Sequence, residues 1–207
     1  MIKKTIFRNE IKQLLVHHML EGKVEVNQRL SLPELAAAMD TSVTPVREAL
    51  TQLTETGIVL YKPNRGFFVA QLDDQKAIEI YQLIRLLESE ALRSSYFSQE
   101  DLNELRAINE QFLAAEDNLS RIQLDTSFHQ ALIQNYTNQT SIKIIEDLRI
   151  RISIHELKFM NALPSKKSWQ MHENIIEHLK NDDIHSAINE LNSNWETSIE
   201  SISNLTK

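Results

Sequence analysis

Cysteine is absent from the 207 residues. That excludes disulfides, thiolate metal sites and cysteine nucleophiles, and it fits a reducing, cytoplasmic setting. No apolar run reaches the roughly 20 residues that a membrane span requires, so no membrane partner is expected. The basic start, Met1 to Arg8, lacks the apolar core of a secretion signal. Glycine is nearly as scarce, with only Gly22, Gly57 and Gly66. The last 141 residues contain none of it and a single proline, Pro164. Strands and tight turns lean on those residues, so that long tract is expected to be helical. The chain also has no glycine-rich phosphate loop, no Gly-x-Ser-x-Gly and no His-Glu-x-x-His, which removes the common enzyme motifs.

The net charge of −7 argues at first against nucleic acid. Its distribution reverses that reading. Residues 1–70 carry nine Lys/Arg against seven Asp/Glu, whereas the remainder carries 13 against 22. A mildly basic head on an acidic body fits contact with DNA by the head alone. The boundary is placed near Gln71–Asp74, giving a head of residues 1–70 and a body of residues 71–207.

Local signals order the head. Arg8–Glu21 places Ile11, Leu14, Leu15 and Met19 at helical spacing and stops at Gly22. Ser31-Leu32-Pro33-Glu34 is a capping box with proline in the first turn, opening a short helix with Leu35, Ala36 and Met39 inward. Thr44-Pro45 reads as a cap and first-position proline for a helix to about Glu55, with Val46, Leu50 and Leu53 inward. Ile58–Tyr61 and Phe67–Ala70 read as strands joined by a turn at Lys62–Gly66. The order helix, helix, turn, helix, hairpin is that of a winged helix-turn-helix. In that motif the second helix of the pair offers its first residues to base edges and its amide groups to phosphates.

The body reads as an all-α bundle of about six helices: Asp73–Phe97, Ser98 to about Asn118, Arg121–Tyr136, Gln139–Met160, Pro164 to Lys180, and a last helix from Asp182 or Asp183 to about Ser203. On the first of these, Ile80, Leu83, Ile84, Leu87 and Ala91 share the helical spacing. His17, His18 and His185 are expected at the surface, while His155 and His178 fit either surface or cavity. Trp169 and Trp195 are expected in the core or lining a cavity. Asp125 and His129 lie four apart on one helix face, where a carboxylate and an imidazole either share a metal ion or form a plain surface pair.

Leu35-Ala36, Thr44-Pro45-Val46-Arg47-Glu48-Ala49-Leu50 and Pro63-Asn64-Arg65-Gly66 closely resemble the GntR family of regulators, and the helical remainder resembles the FCD ligand-binding domain of its FadR branch. The resemblance implies a homodimeric transcriptional regulator that binds a double-stranded DNA operator. It places DNA contacts on Ser42, Thr44, Arg47, Asn64, Arg65 and Gly66. Two positions depart from the family pattern: Val43 stands where arginine is common, and Pro33 where a basic residue is common. A lost guanidinium removes about 1–3 kcal/mol of guanine discrimination, so an operator unlike the common consensus is expected. For Arg47, the alternative is a surface pair with Glu48 or Glu55.

The resemblance also implies a divalent metal site (Zn²⁺, Ni²⁺ or Mn²⁺) on Asp125, His129, His172 and Asn194. The asparagine stands where the family places a last histidine and weakens the set, because an amide oxygen is a harder, weaker ligand. A small carboxylate effector is implied beside it, with Arg85 and Arg149 as its cations. Their alternative is surface pairing, as of Arg85 with Glu88 or Glu90; Arg151 shares the helix of Arg149. Two other functions are weighed. One is a metal-dependent enzyme using Asp125, His129 and His172 to activate water. The other is a helical adaptor whose head has lost DNA binding through Val43 and Pro33.

Overall fold

The computed structural model describes residues 10–11, 13–15, 17–19, 23–156 and 165–205, leaving aside the side chains of residues 165, 204 and 205. It divides into two compact units, Met1–Leu72 and Asp73–Lys207. The helix stop at Gly22, the helix end at Met160 and the break at Pro164 lie outside the described residues.

In the head, residues 10–19 are helical where described (α1) and bury Ile11, Leu15 and Met19. Helix α2 spans Leu32–Ala38; Ser31 caps it by accepting from the Glu34 amide at 3.4 Å. Helix α3 spans Val43–Glu55 and buries Val46, Ala49, Leu50 and Leu53. Its start lies one residue earlier than Thr44-Pro45 suggests. Ser42 is the extended N-cap, so Pro45 sits third in the helix, still among the positions whose amide has no intrahelical partner. Gly57, at φ +71°, turns the chain out of α3.

Strands β1 (Val59–Lys62) and β2 (Gly66–Val69) pair antiparallel with Lys62 opposite Gly66. Both are offset by one residue from the alternation-based expectation. The offset follows from Gly66, whose φ of +93° lets it close the ladder instead of the turn. Residues 28–30 add a short third edge: Leu30 N donates to Phe67 O at 2.8 Å, Val69 N to Gln28 O at 3.0 Å, and Arg29 bridges Phe68.

The described elements of the body are all helices, joined by short turns and loops: α4 (Asp74–Arg93), α5 (Gln99–Ala114), α6 (Asn118–Leu132), α7 (Gln139–Glu156), α8 (Ser165–Lys180) and α9 (Ile184–Leu205). Helix α4 packs on α7 and α9, α5 on α6 and α8, and α8 on α9. Ser98 and Asp101 form the reciprocal capping box that starts α5. Helix α6 begins three residues before Arg121, because the Asp117 side chain accepts from the Ser120 amide at 2.7 Å. Asp183, not Asp182, caps α9 by accepting from the Ser186 amide at 3.0 Å. Ile84 and Ala91 are fully buried, but Leu83 is 42% exposed, one position off the inward stripe of α4. None of the described helices is long and apolar enough to cross a membrane.

Leu50 is fully buried at the centre of α3. Leu50→Ala is expected to cost about 2–5 kcal/mol through lost transfer energy and a residual cavity. Denaturant unfolding followed by circular dichroism would measure it, and a change under 1 kcal/mol would mean that this core is not packed as described.

Candidate nucleic-acid interface and candidate metal centre

Ser42, Thr44 and Arg47 are all exposed at the start of α3. Thr44 and Arg47 are three apart, hence on one face, opposite the buried stripe. Ser42 makes no side-chain cap bond, which leaves its hydroxyl for another partner. At the wing, Asn64 adopts a left-handed φ of +60° that asparagine tolerates, and Arg65 N donates to Lys62 O at 3.0 Å. The start of α3 and the wing turn face a shared cleft of about 480 Å³ that includes Arg47, Asn64, Arg65 and Gly66. Among the described residues Arg47 forms no ion pair with Glu48 or Glu55. Pro33 also lines the cleft, and Val43 is 37% exposed at the first turn of α3.

In the body, helices α6 and α8 bring Asp125, His129 and His172 together, with one donor atom from each within 4.8 Å of the others. Asp125 Oδ1 is 3.6 Å from His172 Nε2, and Oδ2 is 3.9 Å from His129 Nε2. Both histidines are fully buried, while Asp125 remains 27% exposed. Each imidazole is fixed by its other nitrogen. His129 Nδ1 is 2.9 Å from Glu88 Oε2, and a carboxylate only accepts, so Nδ1 donates. His172 Nδ1 is 3.1 Å from Asn109 Oδ1. The Asn109 amide nitrogen donates to Trp169 O and Glu173 Oε1, at 3.2 and 2.7 Å, so its oxygen is the acceptor and Nδ1 of His172 again donates. Both Nε2 atoms are buried with no hydrogen-bond partner. This is how ligating histidines are held, with the second nitrogen engaged and the first presenting its lone pair. Burial, reinforced by His129 and Arg149, holds His172 well below its ordinary pKa, so it stays neutral and able to ligate.

Asn194 is buried on α9 beside Trp195, and its amide nitrogen has no partner. Oxygen and nitrogen of an amide are assigned by their surroundings; reversed, the same group presents an oxygen there. A cation is compatible with the clustered donor set of one carboxylate and two imidazoles.

Glu88 was not expected here. The surface pair of Arg85 with Glu88 does not form, because Glu88 points inward, fully buried, and Arg85 instead pairs with Glu196. Glu88 accepts from Arg149 Nη2, His129 and Trp195 Nε1, the last at 2.9 Å. Burial opposes its charge, but Arg149 and His129 outweigh burial and hold its pKa below the ordinary value. Its sequence signal was available: positions 81, 84, 88 and 91 share one helix face, and Glu88 is the charged member of an otherwise apolar stripe. Tyr81 donates to buried Glu156 at 2.8 Å, a second carboxylate that the sequence did not single out. His155 is buried and contacts Asp74 at 2.8 Å, whereas His178 is half-buried beside Asp183. Trp195 is buried and Trp169 half-buried.

Burial and the nearby Asp125 raise the Glu156 carboxyl from 4.5 to about 8. The folded chain thus keeps a proton that the unfolded chain releases. The stabilisation is complete below pH 4.5 and is lost as pH rises to about 8. In chelator-treated protein, melting temperature is expected to fall across that window in the wild type and to flatten in Glu156→Gln. Parallel declines in both would contradict the assignment.

Residues 7–69 match the model of the gntR family of bacterial regulatory proteins, and residues 79–193 match the FCD domain. The Nta operon transcriptional regulator of Aminobacter aminovorans is 31% identical over 131 residues, covering 60% of this chain and 61% of that protein. The probable D-xylose utilization operon transcriptional repressor of Paenarthrobacter nicotinovorans is 23% identical, covering 88% and 82%. The solved structure of Escherichia coli McbR/YncC shares the fold, with a TM-score of 0.80 at 21% identity over 97% of this chain and 99% of that one. A Rhodococcus protein described as a putative GntR regulator gives 0.76 at 21% identity, over 95% and 97%.

Proposed function

We propose a function from one premise: the chain belongs to the gntR family of bacterial regulatory proteins and carries an FCD domain. It is a DNA-binding transcriptional regulator. In our reading the α3 residues Ser42, Thr44 and Arg47 and the wing residues Asn64, Arg65 and Gly66 touch the operator, with side chains from α3 reading bases and the wing engaging the adjacent backbone. The loss of basic side chains at Pro33 and Val43 shifts the operator away from the common consensus. The exposed Leu83 and Leu86, 42% and 64% accessible and three apart on α4, support a homodimer that would match a two-fold operator.

The body, in this reading, is the sensing unit. Asp125, His129, His172 and, more weakly, Asn194 would hold a divalent ion; Zn²⁺, Ni²⁺ and Mn²⁺ all suit such donors. The two partnerless Nε2 atoms carry this proposal. A bound ion would supply an anchoring charge for a small carboxylate effector. Arg149 keeps an unpartnered Nε and Arg85 lies on α4, but each already holds a glutamate. An incoming carboxylate would share these cations rather than capture free ones.

Native mass spectrometry of protein purified without chelator or metal resin tests both proposals. A dimer with about one divalent ion per chain is expected. His172→Ala should lose the ion, and Asn194→His should bind it more tightly. A monomer would contradict the dimer, and equal ion content in wild type and His172→Ala would contradict the site.

A further inference from the structure

The cleft between α3 and the wing holds a third arginine that the sequence motifs did not single out. Arg29 precedes α2 and lines the cleft together with Arg47 and Arg65. Its backbone is pinned to β2 through the bridge to Phe68 and the flanking bonds at Gln28 and Leu30. Its guanidinium lies over the wing turn. A Cβ placed on Gly66 would sit 3.6 Å from its Nε and 3.8 Å from its Nη2. Arg29 is exposed and, among the described residues, has no acidic partner. None of the residues lining the cleft is acidic. Three guanidinium groups without a counter-ion among the described residues, on three segments around one concavity, form a surface complementary to a polyanion, and that of an operator duplex is the phosphate backbone.

We propose that Arg29 is a DNA-contacting residue that clamps a backbone phosphate at the mouth of this cleft, supplying from the segment before α2 a guanidinium that Pro33 and Val43 cannot. The proposal rests on the DNA-binding reading of the head. It assigns Arg29 to the electrostatic part of binding and not to base recognition, because the side chain follows the wing turn instead of the exposed face of α3. A Cβ at Gly66 would meet the arginine at ordinary van der Waals distance, so it is the positive φ and not crowding that calls for glycine there.

Fluorescence anisotropy of the full-length chain on a duplex selected from a random library, across a salt series, tests this with Arg29→Gln and Arg29→Lys. Removing one phosphate contact lowers the magnitude of the log K against log salt slope by about 0.9. The affinity deficit of Arg29→Gln should therefore shrink by about 3.5-fold between 50 and 200 mM salt. Arg29→Lys should keep most of the slope, and the selected sequence should be unchanged in both. A wild-type slope in Arg29→Gln would overturn the proposal, as would a changed base preference with the slope intact. Circular dichroism melts of each variant separate a folding defect from a lost contact; if Arg29→Gln unfolds, Arg29→Met, which keeps the aliphatic stem without the charge, takes its place with the same expected loss of slope. A wild-type chain that binds no duplex at any salt would overturn the DNA-binding reading itself.

Discussion

A single buried carboxylate, Glu88, ties four helices of the body together. It stands on α4 and accepts from His129 on α6, Arg149 on α7 and Trp195 on α9. Such a group is not a net source of stability, since desolvating two charges can cost as much as their attraction returns. Its effect is a constraint. Withdrawing one partner strands a charge in the interior at about 3–5 kcal/mol, so the four helices keep one mutual register. The same bond fixes the His129 ring and presents Nε2 toward Asp125. Asn109 does the equivalent for His172 from α5, with its own amide nitrogen committed to α8. The geometry of the Asp125, His129 and His172 cluster is thus set by residues around it.

The head follows a complementary electrostatic rule. Where the body neutralises its interior cation with Glu88, the cleft of the head leaves Arg29, Arg47 and Arg65 without acidic partners among the described residues. Unpaired cations at a surface keep their full attraction for an external anion, while paired ones do not. The overall charge of −7 therefore says little about DNA affinity. The acidic residues reside mainly in the body, and beyond about 8–10 Å their field is screened at moderate salt.

Much of this was legible in the sequence because its signals are local. The absence of glycine after Gly66 foretold the helical body, Ser98 and Asp101 marked a capped start, and Asp125 with His129 showed a shared helix face. The register of the wing was missed by one residue because alternation cannot tell whether Gly66 belongs to the turn or the strand. Helix α6 starts earlier than expected because the Asp117 cap outweighs the polar run after it. Glu88 and Asn109 were missed for a different reason. Their partners lie 41 and 63 positions away, and one sequence does not pair such distant residues. Arg29 carried no helical or motif signal, since its position over Gly66 arises from strand pairing.

The two units share a covalent route for communication. Helix α4 begins at Asp74, just after the boundary at Leu72, and reaches Glu88 about four turns later. A ligand in the body regulates the head only if it prefers one state of the protein over another, and the resulting coupling is reciprocal. The most direct measurement is the dissociation constant of Zn²⁺ for the full-length chain with and without saturating operator duplex. DNA is expected to shift the ion affinity by a factor of about 5–150, equal to the factor by which the ion shifts DNA affinity. An ion affinity that is the same in both conditions would contradict a sensing body that controls a DNA-binding head.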